Sequence, residues 1–355
     1  MIRLAVKKPT TIEDARSQLQ TAIGVEFGTL PPYLYALYSI PPQTNPESNQ
    51  LIRSVALQEM IHMCLACNIL NALGGNPVIQ VQQYPGPLPG DIGPNNTPLT
   101  VHLYPFSKEA LAQGMAIEEP VDPPDYQVMT ATLLGETGPK AVTIGEFYGA
   151  LDLFLSTLPP TAWTPNRNQI VDNQFFPGQL YAVNNYADAH KAITQIVSEG
   201  EGTNEGTKKG SKEGTQYNPI DFQDQPAHYF RFGEIFHERV LTKDLANPLG
   251  YTWGPARIEV TWPPAGHIMA DPGQHDFSHE PPAAQAAQAA CNQTFSLMIE
   301  ALQRAVEGVE GALGEGVRHM FDLRMAALHA FTVPLNNGQV AGPAFLHVPT
   351  VHGDK

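Results

Sequence analysis

The sequence predicts an all-α protein: a four-helix bundle core with additional helices and long excursions rich in proline and glycine. Apolar residues recur at the three- and four-residue steps of a helix face through several long segments. Between them lie stretches dense in Pro, Gly and Asn, which interrupt regular structure. The third observation is chemical. Glu-x-x-His occurs twice, as Glu59-Met60-Ile61-His62 and Glu234-Ile235-Phe236-His237. A lone glutamate stands at the same distance before each copy, Glu26 before the first and Glu201 before the second. Residues three apart share a helix face. A Glu-x-x-His pair on each of two helices, with one glutamate from each of two others, is the ligand set of a dinuclear carboxylate site in a helix bundle.

The first helix is expected over about residues 12–40, on the row Ile12, Ala15, Leu19, Ile23, Glu26 and Leu30. Pro31-Pro32 remove two backbone donors and press on the preceding turn, which predicts a kink after Glu26 or, alternatively, a helix end at Leu30. The second helix, about 50–73, carries Ile52, Val55, Glu59, His62, Ala66, Ile69 and Leu73, closed by Gly74-Gly75. Residues 76–105 read as an irregular excursion, followed by a short helix after Ser107. Thr143-x-x-Glu146 is a capping box that opens a supporting helix. The third bundle helix, about 178–202, buries Tyr186, Ala189, Ile193, Ile196 and Val197. Glu201 falls one turn beyond Val197 and is taken as the fourth carboxylate, with Glu199 as the alternative. Residues 202–216 lack an apolar anchor and are expected to be flexible, as a lid or a plain insertion. The fourth helix, about 225–241, has the row Phe230, Glu234, His237 and Leu241. Arg257–Trp262 reads as strand-like. Two further helices are expected over about 283–310 and 314–331. Asp271, His275, His279 and Glu280 just before them read as capping groups.

The glutamates and histidines of both motifs thus stand in apolar rows. A buried unpaired carboxylate is costly, so buried acids are normally paired or metal-bound. Cys64 and Cys67 form a C-x-x-C on the second helix, but the only other cysteine is Cys291, so no thiolate zinc set is available. They read as small packing residues. A net charge of −15 argues against nucleic acid or an anionic membrane as the main partner. No unbroken run of 18 apolar residues is present, and the N-terminus has no secretory apolar segment; the expectation is a cytoplasmic protein.

Leu30-Pro31-Pro32-Tyr33-Leu34-Tyr35-Ala36-Leu37-Tyr38-Ser39-Ile40 follows Glu26, and Glu59-Met60-Ile61-His62 leads into Asn68-Ile69-Leu70-Asn71-Ala72-Leu73-Gly74-Gly75-Asn76-Pro77. Gly200-Glu201-Gly202 precedes His228-Tyr229-Phe230-Arg231-Phe232-Gly233-Glu234-Ile235, and Ala341-Gly342-Pro343-Ala344-Phe345 stands near the end. Together these motifs resemble the ferritin-like domain of the iminophenyl-pyruvate dimer synthases, enzymes that couple amino-acid-derived imines in bisindole pigment biosynthesis. The resemblance spans residues 12–348. It implies a ferritin-like four-helix bundle, a single elaborated domain over residues 1–355, a metal site, and Glu201 over Glu199. His228 and Arg231 match the family pattern. His228 lies about 120° around the helix from Glu234, so both are expected to orient ligands or hold an anionic substrate, with a surface role as the alternative for Arg231.

Carboxylates and imidazoles suit iron or manganese better than soft metals. The sequence reading is therefore two metal ions, iron with manganese as the alternative, held by Glu26, Glu59, His62, Glu201, Glu234 and His237. These would also be the catalytic residues of an oxidoreductase acting on a small-molecule substrate with dioxygen or peroxide. Tyr33, Tyr35 and Tyr38 are expected to wall a cavity beside them. Metal storage by iron oxidation, a manganese-catalase-like activity and a non-catalytic helical binding protein are the rival readings. A homo-oligomer is left open.

Overall fold

The computed structural model describes residues 2–120, 140–202, 218–244, 246 and 250–349. The segment 203–216, with its expected role as a lid, lies outside the described residues. Among the described residues eight α-helices form: α1 Ile12–Tyr38, α2 Pro46–Ala72, α3 Lys108–Ile117, α4 Ile144–Leu155, α5 Tyr186–Glu201, α6 His228–His237, α7 Pro282–Val306 and α8 Ala312–Ala330. Two antiparallel pairs accompany them, β1 Leu4–Val6 with β2 Lys140–Val142, and β3 Arg239–Lys243 with β4 Tyr251–Arg257. The helices α1 and α2 pack along their lengths, α5 and α6 lean on α2, and α7 and α8 form a second hairpin. One hydrophobic core runs from α1 and α2 through α4 and α5 to α7.

Local chemistry sets several boundaries. Thr11 and Asp14 close a capping box at the start of α1, Ser107 caps α3, and Thr143 with Glu146 caps α4. The helix α1 runs unbroken through Pro31-Pro32, so it does not end at Leu30. Pro32 has no N–H for the Gly28 carbonyl four residues earlier, and the Tyr84 hydroxyl donates to that oxygen instead, at 2.5 Å. Gly28 packs closely there: a Cβ would meet a terminal methyl of Leu88 at 2.8 Å, so that side chain would have to shift. A buried carbonyl left without its donor costs about 1–3 kcal/mol. Tyr84→Phe should therefore lower stability by that amount, read as a shifted denaturant midpoint with unchanged slope.

Several details differ from the sequence reading. The helix α5 begins at Tyr186 rather than near 178, because extended Asn185 caps it by accepting from the Asp188 amide. Helix α6 covers only His228–His237: Glu238 takes a left-handed backbone (φ 55) and Arg239–Lys243 forms a strand. The strand in the following excursion is Tyr251–Arg257, not Arg257–Trp262. Pro281, with no side-chain cap, precedes α7. Glu280 instead accepts from the Asn336 amide and pairs with His275, while Asp271 pairs with His102. Helix α2 is long and apolar enough to cross a membrane, but most of it is buried within the fold.

Candidate metal centre

The long helices α1 and α2 bring Glu26, Glu59 and His62 together, as the apolar rows predict. One ligand atom from each lies within 4.8 Å of the others, and all three are buried. A second group shares Glu59 with Glu118 and His228 under the same limit, again all buried. Glu118 is the residue that ends α3, and His228 is the first residue of α6. The two imidazole rings stack 5.5 Å apart across the cluster.

Each histidine turns one nitrogen inward and anchors the other. His62 Nδ1 lies 3.7 Å from Glu26 Oε2 and 3.7 Å from Glu59 Oε1, while its Nε2 is 2.8 Å from Glu199 Oε2. His228 Nε2 is 3.0 Å from Gln58 Oε1. Its Nδ1 sits 2.7 Å from Glu59 Oε1 at angles that make no hydrogen bond, so a fully buried nitrogen has no such partner. A nitrogen and a carboxylate oxygen that share a space without bonding each other suit two ligands of one ion. Outer partners such as Glu199 and Gln58 fix ring orientation and tautomer in metal sites. Tyr148 donates to Glu26 Oε1 at 2.6 Å, Tyr33 to Glu118 Oε1 at 2.5 Å, and the Thr29 hydroxyl lies 3.0 Å from Glu59 Oε2.

The charges of the cluster are balanced by protons. Burial pushes the Glu59 carboxyl well above the usual range, and the neighbouring Glu118 and Glu26 push it further. Burial opposes charge on His62 too, but the hydrogen bond to Glu199 and the nearby Glu26 and Glu59 carboxylates outweigh it and raise the imidazole to about 10. Burial alone would raise Glu26; the adjacent His62 charge and hydrogen bonds hold it below the ordinary value.

Glu201, the fourth carboxylate of the sequence reading, belongs to neither group. It lines a cavity of about 20 Å³ beside Glu26, Glu59, His62 and Glu118, room for about one water-sized occupant. Its Oε1 accepts from the Gly145 amide in the first turn of α4 at 2.7 Å, and burial raises its carboxyl to about 7. A side chain at 145 would collide with that carboxylate. Glu199 reaches the centre only through His62.

The second Glu-x-x-His lies away from the cluster. Because α6 stops at His237, Glu234 turns to the helix end and accepts from the Leu241 amide at 2.8 Å. His237 is exposed and stacks on Trp253 at 4.6 Å. The row that faces the centre is His228, Phe232 and Ile235, all buried. That row has the same helical spacing as Phe230, Glu234 and His237, and it was the signal available for His228. Nothing in the sequence marks Glu118, since its burial follows from how α3 docks.

Arg231 holds structure rather than a ligand or an anion. Its guanidinium donates to the Pro226 carbonyl at 2.6 Å, Ser54 Oγ at 2.8 Å and Asp221 Oδ2 at 3.2 Å, tying the start of α6 to α2. Both partners of the Arg231–Asp221 pair are buried. Breaking a buried pair from one side costs about 3–5 kcal/mol, so Arg231→Ala should lose that much stability in a denaturant titration.

The expected tyrosine wall also disperses: Tyr33 serves Glu118, Tyr35 donates to the Met269 carbonyl, and Tyr38 lines a groove elsewhere. Cys64 and Cys67 are buried free thiols, and burial pushes Cys64 up to about 12.

A family model described as Ferritin-like matches residues 19–237. No curated protein matches the chain. Among solved structures, a ferritin-like protein from Caulobacter vibrioides aligns with a TM-score of 0.61 over 94% of this chain and 98% of its own, at 23% identity. That likeness concerns the fold.

Proposed function

The chain belongs to the ferritin-like family, and on that premise we propose that it is a dinuclear metal oxidoreductase acting on a small organic molecule. The observation that carries this reading is the sharing of Glu59: it is common to a Glu26–His62 group and a Glu118–His228 group. One carboxylate between two acid–imidazole pairs suits two adjacent ions with Glu59 between them. Oxygen and nitrogen donors favour iron, with manganese as the chemical variant. When bound, such a pair supplies the electron changes that use of dioxygen or peroxide requires.

The protein's own groups would orient and protect that centre. Tyr148 and Tyr33 each fix one outer carboxylate, Thr29 approaches Glu59, and Glu199 and Gln58 hold the two imidazoles with Nδ1 inward. The small cavity suits a diatomic oxidant and keeps bulk water out. The resemblance to iminophenyl-pyruvate dimer synthases makes oxidative coupling of an amino-acid-derived imine the substrate chemistry to test first. The test is anaerobic loading with ferrous iron, followed by oxygen with and without indole-3-pyruvate imine. Oxygen uptake that needs the imine and disappears in Glu59→Ala and His228→Ala supports the reading. Uptake that tracks added iron alone, with mineral accumulating, replaces it with metal storage.

A further inference from the structure

A second concavity lies between the carboxyl end of α1, the amino half of α2 and α8, with a volume of about 860 Å³. That is within the size range of small-molecule sites, roughly 300–1,000 Å³. Ala56 and Met60 of α2 line it, while Glu59 of the same helix belongs to the carboxylate cluster. Its floor is apolar, with Leu37 and Tyr38 of α1, and exposed Phe321 of α8 forms part of the wall. An exposed apolar rim around a concavity marks a binding site more often than a solvent face.

Its charge is the opposite of the molecule's. The chain carries 35 acidic against 20 basic residues. Yet Arg53 and Arg324 both line the groove, and no Asp or Glu does. Neither arginine has an ion-pair partner among the described residues, and both are exposed. Two guanidinium groups without counterions above an apolar floor complement a carboxylate attached to an apolar body. We propose that this groove binds an amphipathic organic carboxylate, at a site separate from the carboxylate–histidine cluster.

The probe is pyrenebutyrate, with the neutral pyrenebutanol as its control, titrated by fluorescence into the full chain. Pyrenebutyrate should bind saturably, one per chain, and about tenfold more tightly than the alcohol. Arg53→Gln and Arg324→Gln should each weaken the acid by about fivefold, the effect of a partly exposed charge pair, and leave the alcohol unchanged. Phe321→Ala should weaken both. Metal content is measured in parallel and should not change in the arginine variants, so failure here is distinguishable from failure of the metal reading. Equal binding of acid and alcohol, indifference to both arginine substitutions, or no saturable binding would overturn the proposal. So would sedimentation as a dimer that Phe321→Arg dissociates, because a second copy would then occupy the groove.

Discussion

Glu59→Ala is expected to empty the whole centre, taking the metal content of loaded protein from two ions per chain to none. Glu59 alone belongs to both ligand groups, so its loss cannot spare either ion. His62→Ala and His228→Ala each remove a ligand from one group only, and should leave a partially loaded protein. Glu234→Ala and His237→Ala should keep the full stoichiometry, because one serves the Leu241 amide and the other stacks on Trp253. Emission spectroscopy after loading and desalting reads all five. A ligand bound only to the folded state at a hundred times its dissociation constant adds about 2.7 kcal/mol of stability. The melting-temperature gap between wild type and Glu59→Ala should therefore open on loading and shrink when metal is withheld.

Metal uptake should also expel protons and strengthen steeply with pH. At neutral pH the free cluster holds a proton on His62, raised to about 10, while burial and the neighbouring Glu118 and Glu26 push the Glu59 carboxyl upward, toward its protonated form. Coordination requires a neutral imidazole nitrogen and an ionised carboxylate. The proton released from His62 makes apparent affinity rise about tenfold per pH unit, and any proton lost from Glu59 steepens the rise further. Calorimetry in buffers of different ionisation heat counts the protons directly. The metal-free protein should show the opposite trend. A raised His62 pKa contributes stability that is complete below the ordinary value of 6.5 and is lost as pH rises toward 10. Glu59 acts in the same sense. Melting of metal-free protein should thus fall over that window. A flat affinity profile, or no buffer-dependent heat, would refute this proton account.

Much of this centre was legible in the sequence, and the remainder had a physical reason to be hidden. The rows of α1 and α2 are long, and periodicity over seven turns fixes which side chains face inward; Glu26, Glu59 and His62 followed from that. In α6 only ten residues are helical, and two rows of equal spacing competed. The Glu-x-x-His row is the more distinctive in sequence, but Glu238 ends the helix in a left-handed turn and Glu234 accepts from the Leu241 amide beyond it. Glu118 follows a short helix whose direction is set by tertiary packing, which no local pattern encodes. Glu201 and Glu199 compete for one role in the sequence; in the structure they have two different ones, at the first turn of α4 and on His62.

The two halves of the cluster stand on unequal foundations. Glu26 and His62 ride in the interior of helices of 27 residues each, braced along their length by the core. Glu118 and His228 hang from the ends of two helices of 10 residues each, one at the last turn and one at the first. An ion arriving between Glu26 and His62 finds its ligands already rigid, while one arriving between Glu118 and His228 must also quiet two helix termini. Loading should therefore be stepwise, the stiff seat filling before the loose one. The buried Arg231–Asp221 clamp at the root of α6 then becomes the screw that sets how far apart the two steps fall.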